Sequence, residues 1–392
     1  MMTVRVYLDH NATSPLRPPA RAAMTAALNS FGNPSSVHAE GRAAHAEVVA
    51  ARTKVASLVG ADPKAVTFTS GATESVAFAL SPLFEIEGRP VRCDVLMISA
   101  VEHPAVRAGG RFAAEAIETI PVNRDGVIDL AALEAALVRH QAAGHRALVS
   151  VMAANNETGV IEPVAKIAER VHAVGGLFHS DAVQIAGRVP FDLAASGADL
   201  ISLSSHKLGG PQGAGALIVR DEAIRVPPML RGGGQERGRR AGTENVPAIA
   251  GFGAAAEYAA LAAAEETGRL AGMRDRLEEG IRAIAPDAVM LCAGTPRLPN
   301  TTCFAVPGIA AETAVIAFDL EGVAVSAGAA CSSGKVGPSE ALAAMQVPAA
   351  IAKGAVRVSL GWNTVEEDIA GFLLVWKRLH STLGQRRRER AA

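Results

Sequence analysis

Aromatic residues and long apolar runs are both scarce in this sequence. Only 4 % of the 392 residues are Phe, Trp or Tyr, so we expect a core built largely from Ala, Val, Leu and Ile. No uncharged apolar run reaches the length of about 18 residues that crosses a membrane, and no apolar segment near the N-terminus precedes a small-residue cleavage site. The sequence therefore predicts neither a membrane span nor a signal peptide.

Cysteine is scarce as well, and the charges of the two signs nearly cancel. The four cysteines are far apart and form no CxxC pair, which argues against a disulfide framework and against a zinc site. We expect no metal, free thiols and a cytoplasmic protein. With 38 Lys and Arg against 39 Asp and Glu, the chain has no overall field that attracts nucleic acid or an anionic membrane.

Strand-like and helix-like segments alternate from about residue 60 to 220. "AVTFTS" (65–70) is typical of a buried strand, and "DLAALEAALVRH" (129–140) has the spacing of an amphipathic helix. Such alternation is typical of an α/β fold with a mostly parallel central sheet. In open sheets of this kind, ligands bind outside the carboxyl ends of the strands.

The chain is too long for one compact core, which favours two domains. The C-terminal part mixes short strands such as "TTCFAV" with helices, a pattern typical of an α+β domain. We place a large α/β domain at 15–258, and a smaller α+β domain at 1–14 together with 259–392.

Three polar features follow predicted strands. At 70–73 a helix start with the Thr73 hydroxyl can bind phosphate or simply cap the helix. Asp181 can pair with a cationic ring nitrogen or serve as a turn residue, and Lys207 can form a Schiff base with an aldehyde or lie at the surface. Alone, each feature favours its second interpretation. Together, a phosphate cradle, an acid and an amine describe a site for pyridoxal 5'-phosphate (PLP).

Longer motifs cover nearly the whole chain. They are "YLDHNATSP" (7–15), "FGNPSSVH" (31–38), "TFTSGATES" (67–75), "VEHPAV" (101–106), "NNETGVI" (155–161), "HSDAVQ" (179–184), "SSHKLGGPQG" (204–213), "RGGGQERGRRAGTENV" (231–246), "SAGAACSSG" (326–334) and "VRVSLG" (356–361). Together they resemble the motifs of cysteine desulfurases of the NifS/IscS-like group (group I), in the class V aminotransferase superfamily. The resemblance implies the PLP-dependent transferase fold of type I, with PLP bound by the large domain and a catalytic cysteine on a loop of the small one.

The resemblance also implies roles for individual residues of the cofactor site. Lys207 would hold PLP as an imine, Asp181 would pair with its ring nitrogen, and Gln184 would bond to its phenolic oxygen. His103 would stack on the ring and move protons. Thr243 would complete the phosphate site of the neighbouring subunit in a homodimer. Within one subunit the phosphate would be bound by Ala72, Thr73, Ser204 and His206.

Further residues are implied for the substrate. Arg357, with Asn33, would hold the substrate carboxylate, and the arginine can do so through two parallel hydrogen bonds. Asn155 would contact the cofactor or the substrate. Outside their motifs, these residues and His103 would be interpreted as ordinary loop, turn or surface residues.

Cys331 narrows the range of reactions that such a PLP site could catalyse. It lies in "VSAGAACSSGKVGP", whose small residues predict an exposed mobile loop, whereas Cys93, Cys292 and Cys303 lie in apolar or strand-like contexts typical of inert packing. The resemblance implies that Lys207 removes the α-proton of L-cysteine and that Cys331 takes the sulfur as a persulfide, which leaves L-alanine. The persulfide would pass to an acceptor or scaffold protein for iron–sulfur clusters or other sulfur-containing cofactors.

Several alternatives stay open. The loop departs from the group's usual SSGSACTS at Ala327, Ala329 and Ser332, and a selenocysteine lyase or a plain aminotransferase of the same superfamily fits the same site. The Arg-rich segments "RGGGQERGRR" and "RRRER" can also mark a nucleic-acid binder, although the balanced charge and few aromatics argue against one. Dependence on Cys331 separates a desulfurase from an aminotransferase.

Overall fold

The computed structural model describes residues 5–328 and 339–391. The strands in this part of the chain are β1 (Val6–Tyr7), β2 (Val66–Thr69), β3 (Leu83–Ile86), β4 (Arg89–Arg92), β5 (Val95–Ser99), β6 (Ile117–Ile120), β7 (Ala147–Ser150), β8 (Leu177–Asp181), β9 (Leu200–Ser204), β10 (Gly215–Val219), β11 (Ile224–Arg225), β12 (Val289–Met290), β13 (Thr301–Ala305), β14 (Val323–Ala324), β15 (Ser326–Ala327) and β16 (Val356–Ser359). The helices are α1 (Pro18–Asn29), α2 (Ala39–Leu58), α3 (Ala72–Ala79), α4 (Pro104–Arg107), α5 (Leu130–Ala142), α6 (Val164–Ala173), α7 (Leu193–Ser196), α8 (Val246–Ile284), α9 (Ala311–Leu320), α10 (Glu340–Ala344), α11 (Ala349–Ala352) and α12 (Glu366–Ala391).

A seven-stranded sheet forms the centre of the fold. Its strand order is β2-β10-β9-β8-β7-β5-β6, and only β10 runs against its neighbours in this sheet. The strands from β7 to β10 are buried along their whole length, as expected when a mostly parallel sheet is covered on both faces. The predicted α/β fold with a mostly parallel sheet is confirmed.

The two faces of this sheet pack against different helices. Along β5, Met97 belongs to a core cluster that includes Phe252 of α8, while Leu96 belongs to a second cluster that includes Phe78 of α3. Successive side chains of a strand point to opposite faces, which explains why consecutive apolar residues supply both clusters.

A second core forms around the C-terminal sheet, whose strand order is β12-β13-β16-β15. Its centre is aromatic, with Phe318 and Phe372 stacked at a centroid distance of 4.9 Å and Trp376 beside them. Leu8, from the N-terminal segment, is buried in the same cluster. The division into domains at 15–258 and at 1–14 with 259–392 stays a prediction.

The structure also contains a small antiparallel sheet of β11, β3 and β4, which the sequence analysis did not predict. The hairpin between β3 and β4 turns at Glu87 and Gly88, whose φ angles are 52° and 75°. Two consecutive residues with positive φ are what a two-residue type I′ hairpin requires, and glycine adopts this conformation at little cost.

The long helix α8 is apolar enough, by length and composition alone, to cross a membrane. Half of its most apolar window is buried inside the fold, and Phe252 and Leu277 are fully buried. Such burial is typical of the core helix of a globular fold, so the length of α8 carries no argument for a membrane span.

The parallel strands deliver several polar residues to one edge of the central sheet. β2, β5, β8 and β9 all run in the same direction, and Asp181 at the end of β8 lies opposite Ser202 of β9. The segments that follow these strands, which include His103 and Lys207, therefore meet at the carboxyl edge.

Candidate active site

Lys207 lies in a short 3-10 turn, Ser205–Lys207, that directly follows β9. Its Nζ donates hydrogen bonds to the carbonyl oxygens of Asn11 and Ala12, at 2.5 and 2.7 Å. The side chain is half-buried. The structure therefore places this amine at the strand end and not among the exposed lysines of the surface.

Asp181 and His103 are two titratable groups at the same edge. Nδ1 of His103 accepts a hydrogen bond from the backbone N–H of Ala105 at 3.1 Å, so the proton of the neutral ring lies on Nε2. Burial raises the pKa of Asp181 and lowers the pKa of His103, and each group opposes the shift of the other. A cation beside Asp181 would favour its ionised form.

The first turn of α3 forms a cradle directly after β2. Gly71 is the N-cap, so the backbone N–H groups of Ala72 and Thr73 are among those that have no acceptor within the helix. Gly215 of β10 approaches closely, because a Cβ at this position would lie 2.6 Å from the carbonyl carbon of Gly71. Exposed N–H groups at a helix start, together with its dipole, favour a phosphate.

Ser204, at the end of β9, and His206, in the turn that follows it, line the same cavity as this cradle. Ser204 is buried at the strand end, and Nδ1 of His206 lies 3.1 Å from Oγ1 of Thr13. Burial lowers the pKa of His206 to about 4, with further lowering by Lys207 and Arg188. The ring is therefore neutral near pH 7, and with Thr13 as donor its Nε2 carries a proton that can be donated to an anion.

One cavity of about 480 Å³ brings these features together. The predicted site residues in its wall are Ala72, Thr73, His103, Asp181, Gln184, Ser204, His206 and Lys207. Its volume lies in the range of about 300–1,000 Å³ that is typical of small-molecule sites. The donor set fits PLP: an amine for the aldehyde, a carboxyl group for the ring nitrogen, and a helix start with hydroxyl and imidazole donors for the phosphate.

Arg188 is a buried residue that the sequence did not single out. Its Nη1 donates to Oε1 of Gln184 and to Oδ1 of Asn11, both at 2.6 Å, and its Nη2 donates to the carbonyl of His10 at 3.1 Å. Burial, with the charge of Arg357, lowers the pKa of Arg188 to about 9. The motifs "YLDHNATSP" and "HSDAVQ" supply its partners, but nothing in "IAGRVP" around Arg188 distinguishes it from a surface arginine.

Two consecutive asparagines follow β7, and they have different surroundings. Oδ1 of Asn155 accepts hydrogen bonds from the backbone N–H groups of Glu157 and Thr158, and its Nδ2 donates to the carbonyl of Val101. This side chain holds its own turn, while Asn156 lines the cavity. The predicted contact of Asn155 with a ligand stays a prediction, and Asn156 is a candidate that sequence reasoning missed.

Arg357 is almost fully buried, with 1 % of its surface exposed. Its Nη2 donates to Oδ1 of Asp9 at 2.6 Å, and its Nη1 donates to the carbonyl of Asn156 at 2.9 Å. Asn33 lies in an exposed turn, where its Oδ1 accepts from the backbone N–H of Ser35. In the described part of the chain, no hydrogen bond joins Asn33 to Arg357.

Cys331 falls within residues 329–338, outside the described residues, as does most of the loop predicted around it. The other thiols lie in apolar surroundings, and burial raises the pKa of Cys93 to about 12, that of Cys292 to about 11 and that of Cys303 well above its usual range. Thiols with raised pKa are poor nucleophiles at neutral pH.

Two further predicted features concern the partner subunit and metals. Thr243 is exposed and does not line the cavity of its own chain, so a contact with a neighbouring subunit stays a prediction. Among residues 5–328 and 339–391, no group of three or more His, Cys, Asp or Glu side chains could hold a metal ion.

Comparison with known proteins connects this geometry to a family. The family model described as aminotransferase class-V matches residues 6–372. A protein of Cereibacter sphaeroides named cysteine desulfurase is 45 % identical over 370 residues, covering 93 % of this chain and 92 % of the relative. A protein of Dictyoglomus turgidum named cysteine desulfurase IscS is 39 % identical, covering 96 % of this chain and 95 % of the relative. Among solved structures, a NifS-like protein from Rickettsia africae ESF-5 superimposes with a TM-score of 0.85 at 33 % identity, covering 96 % of this chain and 99 % of that one.

Proposed function

The chain belongs to the aminotransferase class-V family, and on that premise we propose that it is a PLP-dependent cysteine desulfurase. It converts L-cysteine to L-alanine and leaves the sulfur on Cys331 as a persulfide. The observation that carries the proposal is the meeting of Lys207 and Asp181 at one cavity, with the first turn of α3 in its wall. The relatives named cysteine desulfurase support the same reaction.

The cofactor would be held at four points of this cavity. Lys207 would bind the aldehyde carbon covalently through Nζ, and Asp181 would pair with the ring nitrogen. Gln184 would donate from Nε2 to the phenolic oxygen. The phosphate would lie at the helix start, bound by Ala72, Thr73, Ser204 and His206. When bound, PLP supplies an electron sink that stabilises negative charge on the α-carbon of an amino acid.

Lys207 and His103 move the protons of the reaction. As a free amine, Nζ of Lys207 would take the α-proton of the substrate. The neutral ring of His103 carries its proton on Nε2, because Nδ1 accepts from the backbone of Ala105. In this form His103 donates a hydrogen bond from Nε2, and it transfers a proton only after the ring has gained a second one, a charged form that Asp181 nearby stabilises.

Arg357 holds the substrate carboxylate. Its guanidinium is oriented by Asp9 on one side and by the carbonyl of Asn156 on the other, and a planar guanidinium can bind a carboxylate through two parallel hydrogen bonds. Nε of Arg357 has no hydrogen-bond partner in the described part of the chain. A buried donor of this kind is stabilised when a ligand oxygen accepts from it.

Cys331 takes the sulfur in one displacement. Its thiolate attacks the sulfur of the bound cysteine, a sulfur–sulfur bond forms, and the carbon–sulfur bond breaks with its electron pair left on the substrate carbon. That carbon takes up one proton in place of the sulfur. The products are L-alanine and a persulfide on Cys331, so the two sulfur atoms are oxidised and the carbon is reduced.

The proposed function extends to the oligomeric state of the enzyme, its sulfur acceptor and its location in the cell. The enzyme acts as a homodimer in which Thr243 of each subunit reaches the phosphate of the other, a role compatible with its exposure. An acceptor protein takes the persulfide, and the sulfur serves iron–sulfur clusters or other sulfur-containing cofactors. The free thiols of the chain are compatible with a cytoplasmic enzyme.

Two variants test the proposal. The purified protein is expected to be yellow, and Lys207→Ala should prevent covalent fixation of PLP by borohydride. Cys331→Ala should keep the colour and lose the release of sulfide from L-cysteine in the presence of a reductant. Fixation of PLP on Lys207→Ala, or full sulfide release by Cys331→Ala, would overturn the assignments. Alanine formation that does not need Cys331 would favour an aminotransferase or a lyase.

A further inference from the structure

Residues on both sides of Cys331 in sequence are hydrogen-bonded to carboxyl groups, those of the half-buried Asp9 and the buried Glu157. Ser326, five positions before Cys331, donates from Oγ to Oδ2 of Asp9 at 2.8 Å. Ser339, eight positions after Cys331, donates from Oγ to Oε2 of Glu157 at 2.5 Å. Both serines are buried. A buried hydroxyl and a carboxyl group that lose each other as hydrogen-bond partners are both costly to leave unpaired, so each contact fixes the position of its serine.

A single guanidinium links Asp9 to the turn that contains Glu157. Nη2 of Arg357 donates to Asp9, and Nη1 of Arg357 donates to the carbonyl of Asn156, the residue before Glu157. Asp9, Arg357 and the turn with Glu157 therefore form one connected network. The residue that we propose to hold the substrate carboxylate thus lies between the anchors of Ser326 and Ser339.

Ser339 also fixes the start of α10. Its Oγ accepts a hydrogen bond from the backbone N–H of Leu342 at 3.0 Å, which caps the helix. The next residue, Glu340, pairs with Arg107 at the end of α4, the short helix that His103 caps. The point at which the chain continues after residue 338 is therefore tied both to Glu157 and to the element that positions His103.

Glu157 contacts no atom that we assign to the substrate or to the cofactor, and it does not line the cavity. It is a buried carboxyl group whose hydroxyl partner is Ser339, with Arg357 and Arg107 as the nearby positive charges. A carboxyl group in this place has no evident use in packing, because an apolar side chain would avoid the cost of desolvation. The side-chain contact that this carboxyl group makes is the hydrogen bond from Oγ of Ser339.

We propose that Glu157 is a positioning residue for the sulfur-transfer step, acting through Ser339 to fix where the chain enters α10 after the segment that carries Cys331. The proposal rests on the proposed function, because it needs Cys331 as the nucleophile. The thiolate must approach the substrate sulfur to within bonding distance, and small displacements of a reacting group cost large factors in rate. Glu157 serves this step alone and has no part in binding PLP or in removing the α-proton.

The test compares Ser339→Ala with wild type in a single turnover with L-cysteine. The spectrum of bound PLP reports substrate binding and α-proton removal, and mass spectrometry of the Cys331 peptide reports the persulfide. Ser339→Ala should keep its PLP content, its KM and the spectral response to L-cysteine. Its rate of persulfide formation should fall by about 10-fold, which corresponds to the loss of one hydrogen bond.

Four other variants separate a positioning role from a general loss of structure. Ser339→Thr keeps the hydroxyl and Glu157→Gln keeps an acceptor, so both should recover most of the persulfide rate. Asp192→Ala removes the cap of another short helix, α7, and should leave this rate unchanged. Combining Ser339→Ala with Glu157→Gln should cost no more than Ser339→Ala alone, because the two residues act through one contact.

The outcomes distinguish this proposal from the function on which it rests. A wild-type enzyme that forms no persulfide on Cys331 overturns the proposed function. A wild-type enzyme that forms it, with Ser339→Ala equally fast, overturns the role of Glu157 alone. The role is also wrong if Ser339→Ala loses PLP or the spectral response in proportion to the persulfide rate, or if Ser339→Thr is as slow as Ser339→Ala.

Discussion

Arg188 donates a hydrogen bond of 2.6 Å from Nη1 to Oε1 of Gln184, and this contact sets the orientation of the Gln184 amide. Nε2 of Gln184 then donates one proton to the carbonyl of Asn11 at 3.1 Å. The second proton on Nε2 remains for a ligand acceptor at the wall of the cavity. Arg188 thus determines that Gln184 presents a donor, as the proposed contact with the phenolic oxygen of PLP requires.

Replacing Arg188 by methionine should weaken the binding of PLP. Arg188→Met keeps much of the side-chain volume but leaves Oε1 of Gln184, Oδ1 of Asn11 and the carbonyl of His10 without this donor. A buried group left unpaired costs about 1–3 kcal/mol, so the dissociation constant of PLP should rise by about 10-fold or more. Fluorescence titration of the apoenzyme with PLP measures this change.

Arg378→Met is the matched control, because Arg378 is exposed, pairs with Glu321 at the surface and does not line the cavity. It should leave the affinity for PLP unchanged. Equal affinities for PLP in Arg188→Met and wild type would show that the orientation of Gln184 does not depend on Arg188.

A methyl group at Gly215 should open the phosphate cradle. In Gly215→Ala the Cβ would lie 2.6–2.8 Å from the backbone of Gly71 and from the carbonyl oxygen of Leu203, so β10 or the start of α3 must shift. Overpacking of this kind costs about 1–3 kcal/mol. We expect a lower melting temperature and weaker binding of both PLP and inorganic phosphate to the apoenzyme.

The control is Gly268→Ala, for which we expect a change in stability of the opposite sign. Gly268 lies within α8, and a Cβ there would meet nothing within 4 Å. Gly268→Ala should therefore stabilise the protein by up to about 1 kcal/mol through helix propensity and leave the binding of PLP as it is. Calorimetry compares the melting temperatures of the two variants. A Gly215→Ala protein as stable as Gly268→Ala would contradict the predicted overpacking at Gly215.

The strand ends could be predicted from the sequence because local patterns determine them. Asp181 and Lys207 each follow an apolar run, and parallel strands bring such residues to one edge whatever the details of packing. The role of Arg188 could not be predicted in this way. Its partners His10, Asn11 and Gln184 come from two separate segments, and only the three-dimensional fold brings them together.

The choice between Asn155 and Asn156 shows a second limit. Two asparagines in succession after a strand predict a turn, but which side chain holds the turn depends on its hydrogen bonds. In the structure Asn155 accepts from Glu157 and Thr158, which leaves Asn156 at the cavity. By contrast, the sequence itself indicates the hairpin turn at Glu87 and Gly88, because glycine at the second turn position favours a type I′ turn.

Glu162 should make the stability of the protein fall as the pH rises. It is buried, its Oε2 accepts from the backbone N–H of Ile128, and burial raises its pKa from 4.5 to about 8. The folded state therefore holds a proton that the unfolded state releases above about pH 4.5. The stability contributed by neutral Glu162 is complete below that pH and is lost as the pH rises through about 8, by at most about 1.4 kcal/mol per pH unit.

Glu162→Gln removes this titration and keeps an acceptor for Ile128. Urea unfolding near pH 5.5 and near pH 8 should show a smaller loss of stability for Glu162→Gln than for wild type across this interval. Parallel stability profiles of the two proteins would mean that Glu162 is already ionised in the folded state near pH 5.5.

The most direct test of the whole account is a single turnover with L-cysteine in the absence of reductant. Alanine is quantified, and the Cys331 peptide is analysed by mass spectrometry for one added sulfur atom. We predict one persulfide on Cys331 for each alanine formed, and neither product from Cys331→Ala. Alanine formed without sulfur on Cys331, or formed equally well by Cys331→Ala, would contradict the central claim.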